Sequence, residues 1–121
     1  VIGRLRRARR TLRRLGLEEV PLYVTELGWV THPVGARYWA PPERRPAYIS
    51  EIVSMLGHVD CGIAAVLLYT WVTPERNVGD EEDWYGIHPP AGGGSADVSA
   101  FSAGLHSAGA PEPRSAVCAG T

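Results

Sequence analysis

Two apolar, strand-favouring segments with a helical pattern between them constrain this chain more than any other feature. The first, residues 20–27, has Pro21 at its start, where a strand tolerates proline, followed by Leu22, Tyr23, Val24 and Thr25. It reads as a buried strand ending near Glu26. The second, residues 63–71, opens after Gly62 and is a continuous apolar run of the kind buried on both faces of a parallel sheet. Between them, residues 43–56 read as a helix, with Pro46 in the first turn, an apolar face of Ile49, Ile52, Val53 and Leu56, and Gly57 as its stop. Strand, helix and strand make a βαβ unit.

The flanking segments extend the same architecture. Residues 1–15 place Val1, Leu5, Ala8, Leu12 and Leu15 on one helical face, with arginines on the others and Gly16 ending the helix. Residues 28–42 hold Pro33, Gly35, Pro41 and Pro42 and form a loop too long for a plain connector. After Trp71 an irregular stretch runs to Ser95 through four consecutive acids, Asp80 to Asp83, and then Trp84, Tyr85 and Gly86. Asp97 is expected to cap a last helix over residues 98–107 with Val98, Phe101 and Leu105 on one face. Two units are expected: residues 1–108 as the folded part, and 109–121 as a loose tail. The fold class is α/β, with two parallel strands and three helices.

Composition narrows the function classes. With 121 residues the chain has room for one modest core. Its longest apolar stretch, residues 63–69, is far short of the roughly 20 residues a bilayer span needs. Neither a membrane partner nor a secretory leader is expected, and the start at Val1 instead of Met reads as a piece of something longer. The net charge of −1 conceals seven arginines and no acid in residues 1–16. All twelve basic residues are arginine, as GC-rich bacterial coding would give. Cys61 and Cys118 lack metal or redox spacing and are not expected to be catalytic. No glycine-rich phosphate loop follows either strand, so no nucleotide, metal or other cofactor is expected.

In parallel α/β folds, reactive groups sit at the C-terminal ends of strands and in the loops that follow. Here those ends read Thr25-Glu26-Leu27-Gly28-Trp29 and Tyr69-Thr70-Trp71. A carboxylate at the end of a buried strand needs either a use or a partner. Glu26 is thus a catalytic carboxylate or one half of a salt bridge to a neighbouring strand. Trp29, Trp71 and Trp84 offer flat faces on which sugar rings stack, or they fill core. His32, Tyr38 and Trp39 lie in the long loop, where contact with a ligand and simple decoration are both open.

PLYVTELGW, then a loop and helix, then IAAVLLYTW, then an acidic loop with WYGI, resembles the C-terminal part of (β/α)8-barrel glycoside hydrolases. The likeness is to the clan whose nucleophile is a glutamate at the end of strand seven, and it spans residues 1–108. It implies a TIM-barrel fragment carrying strands seven and eight. It further implies Glu26 as the nucleophile of a retaining hydrolysis of poly- or oligosaccharide, with Trp71, Trp29, Tyr69 and Trp84 binding substrate. Tyr69 and Trp71, two residues apart, are expected to share a face of the second strand, with the Tyr69 hydroxyl near Glu26. The clan's acid/base, a strand-four glutamate after asparagine, has no counterpart, since Asn77 is the only asparagine. A D-G-x-x-K-P-A type segment common in relatives is replaced by AGGGSA.

A complete barrel needs about 250 residues, so this chain would require the missing N-terminal barrel portion and is expected to be unstable and inactive alone. Secretion of the parent follows only by analogy with polysaccharide-degrading relatives. Two other functions stand beside hydrolysis: a non-catalytic carbohydrate-binding remnant, and nucleic-acid or anion binding through the arginine-rich first helix. The apolar stripe of that helix suits an outer barrel helix with solvated arginines, so no nucleic-acid partner is expected.

Overall fold

The computed structural model describes residues 1–119. Its elements are α1 (Ile2–Arg14), β1 (Leu22–Leu27), α2 (Arg45–Gly57), β2 (Ile63–Leu68) and α3 (Ala96–Ala108), with a 3₁₀ turn at Glu81–Trp84 before α3. The strands pair in parallel, Leu22 opposite Ile63 and Leu27 opposite Leu68, through two register irregularities. The fold is therefore α/β, with one βαβ unit between two further helices.

Both helices that flank the sheet pack on one of its faces. Leu5 of α1, Leu27 of β1, Leu56 of α2 and the Cys61 and Cys118 side chains form one buried cluster, and Leu22, Val24, Ile63, Val66 and Leu68 pack against it. Ile49, Val53 and Ile87 form a second cluster against Val98 and Phe101 of α3. The other sheet face is uncovered: Tyr23 is 62% exposed and Leu67 51%. The expectations of a buried first strand and of a second strand buried on both faces are corrected here, because none of the described residues lies over that side. The accessible surface is 7366 Å², against about 6,400 Å² for a compact monomer of this mass. Exposed apolar side chains on the sheet, Tyr23 and Leu67, contribute to the surplus together with others in loops and helices.

Two arginines do work that the sequence reading missed. Arg9, counted among the solvated arginines, is buried, because its guanidinium donates to the carbonyls of Cys61, Glu18, Val20 and Gly62. Four backbone acceptors solvate the cation in place of water, and they join α1 to the chain entering both strands. Gly62 sits at φ +65°, and a Cβ there would lie 2.5 Å from the Arg9 Nη2. Its glycine is thus required twice, by backbone and by space. Arg45, at the start of α2, forms an ion pair of 2.6 Å with Asp97 and also donates to the carbonyls of Trp29, Trp84 and Gly86. Asp97 therefore does not cap α3. Ser95 does, accepting from the Val98 N–H, and α3 begins at Ala96.

The C-terminal segment is tied down at its far end. Cys61 and Cys118 form a buried disulfide closing a loop of 57 residues, and the Asp60 carboxylate accepts the N–H groups of Val117, Cys118 and Ala119. Ser115 bridges to the chain at Val59. Composition alone reads 109–119 as loose, but a buried cross-link and three charge-assisted bonds outweigh composition; residues 120 and 121 lie outside the described part. Replacing both cysteines by serine is expected to cost about 2–4 kcal/mol, read as a lowered denaturant midpoint.

The backbone N–H of Cys118, followed by those of Ala119 and Val117, holds the Asp60 carboxyl below its ordinary value. A carboxylate whose folded value is depressed contributes stability above its unfolded value of 3.8 and loses it as pH falls through the folded one. As pH falls from 3.8 through the lower folded value the amides of residues 117–119 are therefore expected to lose protection relative to their intrinsic exchange rates, and Asp60→Asn to give the same loss at neutral pH, both read by amide hydrogen exchange.

Candidate functional site

The two strand ends meet through backbone before any side chain is considered. The Tyr69 N–H donates to the Leu27 carbonyl at 2.8 Å. A Cβ on Gly28 would fall 2.0 Å from the Tyr69 carbonyl oxygen, so only glycine lets the chain after Glu26 lie against the end of the second strand. Beside this junction opens a cleft of about 1090 Å³. It runs between the inner face of α1 and β1, and Arg4, Glu26, Trp29, Tyr38, Tyr69, Glu81, Glu82 and Tyr85 line the part that carries polar groups.

Glu26, the penultimate residue of β1, has its side chain in that cleft and exposed. Among the described residues it has no ion pair, the Arg45–Asp97 pair being the only one. Of the two readings open for Glu26, the structural salt bridge within this chain is thereby removed. Tyr69 lines the same cleft, but its hydroxyl donates to Glu82 Oε2 at 2.8 Å and not to Glu26. That bond, the Glu82 charge and then burial and the Glu26 charge raise the Tyr69 phenol above its ordinary value. Tyr69 therefore stays protonated beside two carboxylates. Tyr85, packed edge-on against Tyr69 at 5.2 Å, is raised too, first by burial and then by Glu81 and Glu82.

The remaining aromatics divide. Trp29 is half-buried, packs on both core clusters and on Tyr48 at 6.0 Å, and still contributes to the cleft wall. Trp71 is 53% exposed and stacks on His88 at 5.2 Å, away from the cleft. The expected common face of Tyr69 and Trp71 does not form, because β2 ends at Leu68 and both residues lie beyond the pleat. Trp84 also stays outside the cleft lining; its indole N–H donates to the Asn77 carbonyl and His32 packs edge-on against it at 4.6 Å. Trp39 donates to the Thr31 carbonyl within its own loop.

Of the three loop residues open to ligand contact, Tyr38 alone lines the cleft, and several further site residues carried no sequence signal of their own. Tyr38 reaches the cleft, where its hydroxyl accepts from Arg4 at 3.3 Å; that bond and then Arg37 lower its phenol from the ordinary value. Glu81 and Glu82 were visible only as part of an acidic run. They are delivered by the 3₁₀ turn, which Asp80 caps by accepting the Glu82 N–H. Arg45 fixes that turn from below by holding the carbonyls of Trp84 and Gly86 together with that of Trp29. One buried cation thus sets the loop after β1 against the loop after β2.

Chemically, the cleft offers a strand-end carboxylate without an ion-pair partner among the described residues, a protonated tyrosine, aromatic walls, two further acids and one arginine, Arg4, bound to the Tyr38 hydroxyl. No family model, curated protein or solved structure matches the chain.

Proposed function

We propose that this chain is the strand-seven and strand-eight portion of a (β/α)8-barrel glycoside hydrolase, acting on poly- or oligosaccharide with Glu26 as nucleophile. The observation that carries this reading is Glu26 itself: a carboxylate at the C-terminal end of a parallel strand, facing a cleft, with no ion-pair partner among the described residues. The uncovered sheet face and the open edge of β1 support it, since a barrel supplies both a further strand beside that edge and a packed interior over that face. On this reading α1 and α2 are outer helices, the apolar part of the cleft beneath α1 receives the preceding strand, and its polar end with Glu26 stays open to the sugar.

Glu26 attacks the anomeric carbon as the glycosidic bond breaks, giving a glycosyl ester. A second carboxyl, about 5–5.5 Å away in such enzymes, protonates the leaving oxygen and then activates the water that hydrolyses the ester. That group comes from the N-terminal barrel portion. Tyr69 and Trp29 flank the reacting sugar from within the cleft, while Trp71 and Trp84 extend the platform outside it. The test is the anomer released first by the protein that carries this chain, followed by NMR on a panel of oligosaccharides. Retention of configuration is expected; inversion, or no hydrolysis of any member, overturns the reading.

A further inference from the structure

The outer face of α1 carries a row of arginines for which the fold has no use. Arg7, Arg10 and Arg14 are exposed and lie three and four positions apart, on the face opposite Leu5 and Arg9. The other arginines of the helix are engaged: Arg9 by backbone carbonyls, Arg4 by the Tyr38 hydroxyl, Arg6 by the Val117 carbonyl at 2.8 Å, and Arg13 by a further contact. Among the described residues the guanidinium groups of Arg7, Arg10 and Arg14 have no hydrogen bond or ion pair. Like charges one turn apart repel, and residues 1–17 contain no acid to offset them. The row weakens the helix that bears it. The acids lie elsewhere, Glu26, Glu81 and Glu82 lining a cleft that includes none of the three arginines.

We propose that this row is a docking surface for an anionic polysaccharide, separate from the cleft. Guanidinium groups meet carboxylate, sulfate and phosphate oxygens through paired N–H donors. From Arg7 to Arg14 the row runs straight for about 10 Å, so a linear polymer with a charge on each repeat can lie along it. The Cys61–Cys118 disulfide points to folding in an oxidising compartment, where charged polysaccharides, and not nucleic acids, are the prevailing polyanions. A lipid surface fits less well, because Leu5 and Leu12 of α1 are buried or half-buried and the large exposed apolar side chains nearest the row in sequence, Leu15 and Leu17, lie past the end of the helix.

The test uses the whole protein that carries this chain and dextran sulfate as probe, with neutral dextran as blank. Binding that weakens with added salt is expected. Arg7→Gln/Arg10→Gln/Arg14→Gln should reduce affinity by about tenfold or more. Arg37→Gln/Arg76→Gln/Arg114→Gln, which removes the same charge from other exposed positions, should leave it within about twofold. Arg10→Glu, which places an acid one turn from Arg6, Arg7, Arg13 and Arg14, should lose affinity while melting at or above the wild-type temperature. No binding at low salt, equal loss in both triple variants, retained affinity in Arg10→Glu, or tighter binding of duplex DNA or anionic phospholipid vesicles overturns the proposal. Glu26→Gln should bind the probe unchanged, so failure here is distinguishable from failure of the hydrolase reading.

Discussion

Glu26→Gln is expected to lower turnover by on the order of a thousandfold or more in the protein that carries this chain, because an amide cannot form the glycosyl ester that a carboxylate forms. The substitution keeps size and shape. Stability should hardly change, since Glu26 is exposed and has no ion pair among the described residues, and surface substitutions away from structural features usually stay within about 0.5 kcal/mol. The two readouts separate the roles available to a carboxylate at this position. A catalytic group shows lost turnover at unchanged denaturant midpoint. A structural group shows a lowered midpoint, with turnover falling only as far as folded protein is lost. Glu82→Gln offers the contrast: it keeps an acceptor for the Tyr69 hydroxyl but removes the Glu82 charge that helps raise its phenol, and it leaves the proposed nucleophile in place.

The second large effect is structural. Arg45→Met is expected to cost about 3–5 kcal/mol, the range for removing one partner of a buried ion pair. Arg45 and Asp97 are both buried, and the bonds between them are 2.9 and 2.6 Å. Without the guanidinium, Asp97 is left as an uncompensated buried charge whose Oδ1 already has no partner, and the carbonyls of Trp29, Trp84 and Gly86 lose their donor. Adding Asp97→Leu to Arg45→Met should recover part of the loss, since replacing both members of a buried pair by apolar groups is often near neutral. Recovery should stay incomplete because the three carbonyls remain unpaired. Denaturant unfolding of the two single variants and the double variant completes the cycle; a loss below about 1 kcal/mol for Arg45→Met, typical of an exposed pair, would show that the cation does not organise the loops.

What the sequence revealed follows from which forces act locally. α1, α2 and both strands were legible to within a few residues, because apolar spacing and the stops at Gly16 and Gly57 are local signals. Glu26 at the end of the first strand and Gly28 beside it were legible for the same reason. Arg9 and Arg45 were not. Their burial depends on carbonyls 9 to 53 positions away, and nothing in a run of arginines distinguishes the one that turns inward. The misassigned cap of α3 has the same origin: Asp97 and Ser95 are both good caps by type, and Asp97 is drawn away by Arg45. Trp71 was placed beside Tyr69 by strand alternation, which fails once the strand stops at Leu68. The disulfide joins positions 57 apart, a separation that composition and spacing do not encode.

The central claim is that Glu26 becomes covalently attached to sugar. The most direct measurement is to incubate the active protein with a 2-deoxy-2-fluoro glycoside bearing a good leaving group, digest after arginine, and sequence the labelled peptide by mass spectrometry. Cleavage after Arg14 and Arg37 releases one peptide that holds Glu18, Glu19 and Glu26. The account predicts a glycosyl adduct on Glu26; an adduct on Glu81, Glu82 or any other carboxylate, or turnover that proceeds with no adduct formed, would contradict it.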